Sequence, residues 1–330
     1  MLRHLGATAL SARVLSRAST PVLRIGSVTD VGAALALMHL RRVGALLVCD
    51  PAGAGSSEDA VPLGILTERD VLEKIDFDTP LATVRVGDVM TPQQSMQLAA
   101  AEDSLDDVLS RMVAGGFRHM PVVRGALAIG MVSMRDIAHA IIAGAKEQES
   151  AVTASVLCSA RSRTINLGCF ARPSCIEAPP ASTVADAVLM MRQWGADSVL
   201  VPSEGPSVGR SRHACGIFTE RDYIRLLGSA TALNQSIDPR RVDLARCCTP
   251  ASELVSATAA TPAMECLARM AHQHVRHLPV MQDVEADADF ELGESDEPPA
   301  PPSLLAVLSA RDVLAQFLPR PSIEQVAAAL

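Results

Sequence analysis

The sequence predicts an α/β fold in which one helix–strand–strand–helix unit occurs four times, grouped two by two into two modules. Three observations predict it. Four amphipathic helices carry their apolar stripes in the same phase, and each stripe ends on Met. A short strand starts at a fixed offset from every one of those Met residues. A second strand in each copy then runs into a Thr/Ser-x-Arg-Asp helix start.

The helices come first. Val31/Ala34/Leu35/Met38, Leu105/Val108/Leu109/Met112, Val184/Ala187/Val188/Met191 and Ala263/Cys266/Leu267/Met270 fall at i, i+3, i+4 and i+7. That spacing gives one buried face per helix. Thr183, with Asp186 three residues on, reads as the cap of the third helix. Thr261, with Pro262 in the first helical position, reads as the cap of the fourth.

The first strands read Val43–Val48, Phe117–Val122, Ala196–Val201 and Val275–Val280. Pro121 and Pro279 remove a backbone donor from two of them, which suggests an edge or a strand start. The second strands end in G-I-L-T-E-R-D (Gly64–Asp70), G-M-V-S-M-R-D (Gly130–Asp136), G-I-F-T-E-R-D (Gly216–Asp222) and A-V-L-S-A-R-D (Ala306–Asp312). The copies alternate. The first and third carry T-E-R-D; the second and fourth carry S-x-R-D and an Arg-His pair in the earlier strand. An alternating pattern makes the pair the functional unit, since one such repeat is too small to bury both faces of its strands.

Composition narrows the function. The chain has 330 residues, a formal net charge of -8, one Trp and one Tyr. A phosphate-tracking surface and aromatic stacking platforms for single-stranded nucleic acid are both disfavoured. No apolar run reaches the roughly 18–20 residues of a membrane span. The eight Cys show no C-x-x-C pair, and Cys247–Cys248 are adjacent, so they read as free thiols in a reducing compartment. Residues 1–29 hold Arg3, Arg13, Arg17 and Arg24 and no acid, the composition of an organelle transit peptide. The mitochondrion is the first destination, the chloroplast or a cytoplasmic protein with a basic tail the alternatives.

The domain reading is a leader at 1–25, a first pair at 26–145 (repeats near 26–78 and 84–145), a linker at 146–171, a second pair at 172–320 (repeats near 172–230 and 241–318) and a tail at 321–330. Residues 51–62 and 202–215 read as loops. Residues 283–302, rich in Asp, Glu and Pro, read as a disordered acidic excursion.

The Thr/Ser-x-Arg-Asp element admits two readings. Thr67/Asp70, Ser133/Asp136, Thr219/Asp222 and Ser309/Asp312 form capping boxes with Asp in place of the usual Glu or Gln. Yet Arg69, Arg135, Arg221 and Arg311 stand in the first helical turn, where a cation opposes the helix dipole. Four repetitions of an unfavourable choice point to an anion nearby. A helix start after a strand suits phosphate, and a carboxylate accepts from both hydroxyls of a ribose. Arg118/His119 and Arg276/His277 add a guanidinium fork and a titratable donor in the second and fourth copies.

The ordered set of motifs resembles the CBS domain family from about Val28 to Phe317. The resemblance implies an α+β CBS-pair fold of two modules, each made of two β-α-β-β-α repeats packed through their sheets, with adenosine ligands in the clefts. It implies that Asp70, Asp136, Asp222 and Asp312 take a ribose and that Thr67, Ser133, Thr219 and Ser309 support ribose or phosphate. Arg69, Arg135, Arg221, Arg311 and the two Arg-His pairs would contact phosphates. The first pair, with Val86–Thr91 reading V-G-D-V-M-T, is similar to plant mitochondrial CBS-pair proteins. The four-copy layout is similar to the gamma subunit of AMP-activated kinase. Ala306 replaces a Gly, Cys247–Pro250 replaces Val89–Pro92, and Asp197 stands where Arg-His copies have Arg and would repel phosphate. The first pair is therefore the stronger ligand candidate.

These features predict a non-enzymatic regulatory protein that binds AMP, ADP, ATP or S-adenosylmethionine and relays energy or redox state to a partner protein. Catalytic residues, a cofactor and a metal site are not expected; His272, His274 and His277 straddle a helix end and a strand start. The alternative is a ligand-free scaffold subunit of a mitochondrial complex, and a third reading is a modulator of mitochondrial thioredoxin. Self-association remains open.

Overall fold

The computed structural model describes residues 14–18, 22–49, 61–151, 176–179, 181–202, 214–281 and 304–318. The acidic excursion, the tail and most of both variable loops and of the linker lie outside them.

The first repeat runs β1 (Arg24–Gly26), α1 (Val31–Arg41), β2 (Ala45–Cys49), β3 (Pro62–Thr67) and α2 (Glu68–Lys74). A short helix α3 (Val86–Val89) and β4 (Thr91–Pro92) lead to the second repeat. That repeat holds β5 (Ala99–Ala100), α4 (Leu105–Gly115), β6 (His119–Arg124), β7 (Leu127–Ser133) and α5 (Met134–Ala151). In the third repeat α6 (Val184–Trp194), β8 (Ser198–Pro202), β9 (Ala214–Thr219) and α7 (Glu220–Ala232) follow an isolated Glu177–Leu200 bridge. After β10 (Thr249–Pro250), the fourth has β11 (Ala257–Thr258), α8 (Ala263–His272), β12 (His277–Met281), β13 (Leu304–Ser309) and α9 (Ala310–Ala315).

Each sheet is an antiparallel pair, such as β2–β3, with a short leading strand added in parallel in three of the four repeats. The α/β class and the four-fold repetition are as the sequence predicts. The leading strands are two or three residues long and carry no alternation of their own, so only the resemblance anticipated them.

The apolar stripes are buried as their spacing requires. Met38, Met112, Met191 and Met270 are all 3 % exposed or less. Asp30, Ser104 and Thr183 cap their helices through the side chain. The fourth helix differs from the sequence reading: Pro262 itself is the cap residue and the helix opens at Ala263. Thr261 faces backwards, its hydroxyl accepting from the Thr258 N–H at 2.9 Å.

The first strands open two residues later than their apolar pattern suggests. Arg118 and Arg276 therefore lie in the turn before the strand. Pro121 is not at a sheet edge: β6 runs between β5 and β7. It is tolerated because β5 reaches only Val122 and Val123. Ala306 also finds its reason. A Cβ on Gly64 or Gly216 would meet the carbonyl oxygen of Thr91 or Thr249, where β4 and β10 close the outer edge of their sheets. Among the described residues β13 pairs on one side alone, with β12, so a methyl group fits.

The repeats pack in two directions. Sheet faces join sequence neighbours: Val22, Leu47 and Cys49 meet Ala128, and Leu200 and Ile217 meet Val307. Helices join the first repeat to the third and the second to the fourth. One core unites Leu35 and Leu72 with Val188 and Tyr223, and the other unites Leu109 and Ile141 with Leu267 and Leu314. Arg192 of α6 fastens the crossing, donating to the carbonyls of Leu72 and Ile75 at 2.5 Å each.

Two boundaries shift. Val14, inside the expected leader, is fully buried against the second repeat and donates to the Asp103 carbonyl at 2.9 Å. Val14 and β1 thus belong to the folded body, so a leader extending to residue 25 overlaps it. At the other end of the first pair, α5 continues to Ala151, past the expected linker start. No described helix is long and apolar enough to cross a membrane.

Candidate ligand-binding site

The four Thr/Ser-x-Arg-Asp elements all open a helix, and all four Asp side chains fold back on their own cap. Thr67, Thr219 and Ser309 form reciprocal capping boxes with Asp70, Asp222 and Asp312. Ser133 and Asp136 make the same bonds, with the Ser133 N–H and hydroxyl donating to Asp136 Oδ2 at 2.8 and 2.7 Å. The cap consumes one carboxylate oxygen; the other distinguishes the copies.

In the first copy the second oxygen is taken. Asp70 Oδ1 accepts from Lys74 Nζ at 2.7 Å and from the Thr91 hydroxyl at 2.8 Å, and the residue is 5 % exposed. Lys74 also donates to the Val89 carbonyl at 2.8 Å, plugging the place a ribose would need. In the second copy Asp136 Oδ1 accepts no hydrogen bond among the described residues, and the residue lines a cavity. In the third, Asp222 Oδ1 lies 3.8 Å from Arg225, and burial raises the pKa of this carboxyl.

The cavity beside Asp136 measures about 280 Å³. Its floor is Ser133, Arg135 and Asp136 at the start of α5. Arg42 to Ala45 of the first repeat form a wall, and Leu267 and Met270 of α8 line it too. Apolar side chains thus share the cavity with a carboxylate and several guanidinium groups. A second cavity of about 220 Å³ adjoins Thr219, Arg221 and Asp222, with Arg276 in the turn before β12 and His277 at its start. Glu220 and Glu253 also line it, which makes it less hospitable to an anion.

Between the two cavities the four repeats bring their charged residues to one cluster. Arg118 lies among Glu220, Asp197 (3.2 Å) and Glu68 (3.8 Å). Arg276 grips Glu68 with both terminal nitrogens, the longer contact being 3.2 Å. Arg69 Nε donates to Glu220 at 3.0 Å, and Arg221 Nε stands 3.7 Å from Glu68. His277 Nε2 lies 2.9 Å from Asp197. Glu68 therefore touches arginines of all three other repeats.

The electrostatics follow. Burial pushes the Glu68 pKa up, but Arg276, Arg221 and Arg118 together outweigh it and hold the group at about 2. Burial likewise acts against ionised Asp197, yet His277 and Arg118 keep its pKa well below the usual carboxylate range. His119 is pushed down to about 3, chiefly by burial and then by Arg276, so it is neutral at pH 7. Arg135 and Arg221 have lowered pKa values, in both cases from burial first and then from Arg276, Arg221 reaching about 10.

The structure thus gathers Arg69, Arg118, His119, Arg135, Arg221, Arg276 and His277 near one centre and opens Ser133 and Asp136 to a cavity. Asp70 is withheld from any ligand in this arrangement. Ser309, Arg311 and Asp312 line neither of these two cavities. The residues that sequence reasoning missed are Glu68 and Glu220. Both occupy the variable position of the T-E-R-D copies, where the other copies have Met134 and Ala310; that alternation was the available signal. Asp197, which its position predicts to repel phosphate, instead holds Arg118 and His277.

Comparison with known proteins fits this architecture. The CBS domain family profile matches residues 14–76 and 86–143. The curated CBS domain-containing protein CBSX3, mitochondrial, of Arabidopsis thaliana is 32% identical over 112 residues, covering 34% of this chain and 52% of that protein. The chain thus spans about half the length of the curated relative it matches. Among solved structures, protein MJ1225 of Methanocaldococcus jannaschii, proposed as an archaeal homologue of g-AMPK, superposes with a TM-score of 0.66. It covers 93% of this chain and all of its own length at 16% identity, which shows a common fold. Residues 14–76 and 86–143 thus match two CBS domains, and the fold of the chain is that of a four-repeat CBS protein.

Proposed function

We propose that this CBS-domain protein is a non-catalytic regulator that binds an adenosine-containing ligand in the cavity between its first two repeats and relays the bound state to a partner protein. The observation that carries the reading is the Asp136 cavity. One carboxylate oxygen is fixed by the cap, the other accepts no hydrogen bond among the described residues, and Asp136 lines the space, as a ribose site requires. Arg135, Arg221 and Arg276 lie toward its charged side, as a phosphate requires. Leu23, Met131 and Leu267 supply an apolar side for a base.

The relay follows from position. A phosphate near Arg135 lies beside Arg221 and Arg276, which hold Glu68 of the first repeat. Binding there biases how the modules grip each other, and a ligand shifts an equilibrium by its difference in affinity for two states. By analogy with the Arabidopsis relative, the mitochondrion is the proposed location.

Thermal unfolding of the full chain with AMP, ADP, ATP, S-adenosylmethionine and GTP tests the reading. A ligand at about 100 times its dissociation constant adds about 2.7 kcal/mol when it binds only the folded state. A shift with an adenosyl compound supports the sensor. No shift with any of them favours a ligand-free assembly subunit, a reading supported by the filled Asp70 cleft and the pre-paired arginines.

A further inference from the structure

Five arginines line the Asp136 cavity: Arg42, Arg118, Arg135, Arg221 and Arg276. Three of them already face buried carboxylates. Arg118 has Glu220 and Asp197, Arg276 has Glu68, and Arg221 stands 3.7 Å from Glu68. Glu68 and Glu220 are each 2 % exposed, so neither can turn to water to release its arginines. Arg42 and Arg135 have no carboxylate within 4 Å among the described residues. Burial and the nearby Arg276 lower the pKa of Arg135, outweighing the more distant pull of Asp136 and Glu68.

We propose that Glu68 and Glu220 are specificity residues, built-in anions that occupy guanidinium capacity a phosphate chain would otherwise use, so that the cavity accepts a nucleoside bearing a single phosphate and rejects the triphosphate. This deepens the nucleotide-binding reading and rests on it. A monophosphate carries a charge of about −1.5 to −2 at pH 7, which two unpaired guanidinium groups balance. A triphosphate brings more charge and has to draw Arg118 and Arg276 away from their carboxylates. Glu220 would then keep only Arg69, and Glu68 only Arg221 at 3.7 Å, a costly loss of pairing for two buried ions. The alternation of the repeats serves the same end: the T-E-R-D copies supply the acids, and the Arg-His copies supply the arginines they neutralise.

The test is an affinity series for adenosine, AMP, ADP and ATP, measured by isothermal titration on the full chain and on the Glu68→Gln and Glu220→Gln variants. The wild-type protein is expected to bind AMP at least about tenfold more tightly than ATP. Either variant is expected to narrow that ratio by about tenfold, mainly by improving ATP binding. Circular dichroism checks that the variants fold. The wild-type series stands without them: ATP binding as tightly as AMP overturns the inference while leaving the nucleotide site intact. An unchanged ratio in both folded variants also overturns it. Failure of every adenosine compound to bind the wild type removes the nucleotide reading itself.

Discussion

At the residue scale, charged groups of two kinds share the centre of the molecule, and they answer to pH in different windows. His119 is neutral when folded, its pKa pushed to about 3, against about 6.5 in an unfolded chain. The unfolded state binds the proton first, so stability is complete above pH 6.5 and is lost as pH falls toward 3. Glu68 titrates near 2 when folded, against about 4.3 unfolded, so its contribution is present above pH 4.3 and disappears toward pH 2. Urea unfolding between pH 7 and 3 is expected to show stability falling by up to about 1.4 kcal/mol per pH unit from the His119 proton, steepening below 4.3. A His119→Asn variant is expected to flatten the upper window; an unchanged slope would assign it to another group. The candidate arginines were legible because a first-turn cation defies the helix dipole four times over. Their acidic partners were not, because a motif's variable position gives no hint that it points to a centre shared by four repeats.

At the element scale, the sequence specified helices better than strands. A stripe ending on Met, with Ser, Thr or Asp before it, locates a helix within a turn or so. The strands opened two residues late because Val43, Phe117 and Val275 are apolar for reasons other than strand pairing: they pack against the cores from the turn. The same limitation hid β1, three residues long, within a basic segment that reads as a leader. The structure makes Val14 and β1 part of the body, Val14 being fully buried and Arg24 donating to the Ala128 carbonyl at 3.0 Å. A chain starting at residue 14 is expected to unfold at the same urea concentration as the full chain. One starting at residue 26 is expected to lose about 1.5–3 kcal/mol for each buried valine removed, Val14 and Val22 among them. Equal midpoints for the two truncations would show that Val14 and β1 contribute nothing to stability.

At the scale of the whole molecule, the paired organisation was legible in the alternation of the copies, but the crossing was not. An apolar helix stripe says that a face is buried and is silent on its partner. The structure gives that partner as the helix two repeats away. α1 and α7 approach so closely that a Cβ on Gly228 would meet the Leu35 carbonyl at 2.7 Å and His39 Cβ at 2.9 Å. Gly228→Leu is therefore expected to force the first and third repeats apart. Calorimetry is expected to show one transition for the wild-type chain and a lowered or split one for the variant. A single transition at unchanged temperature would show that the crossing does not couple the repeats.

The same four-repeat packing decides which cleft is open, and that choice is the central claim. Asp70 and Asp136 carry the same motif; Lys74 and Thr91 fill the cleft at Asp70, and the cavity at Asp136 stays open. Isothermal titration of AMP into the wild-type chain, Asp70→Ala and Asp136→Ala measures the difference directly. The expected result is binding to the wild type and to folded Asp70→Ala, with binding lost in Asp136→Ala. Binding that survives in Asp136→Ala and vanishes in Asp70→Ala, or fails in the wild type, would contradict it.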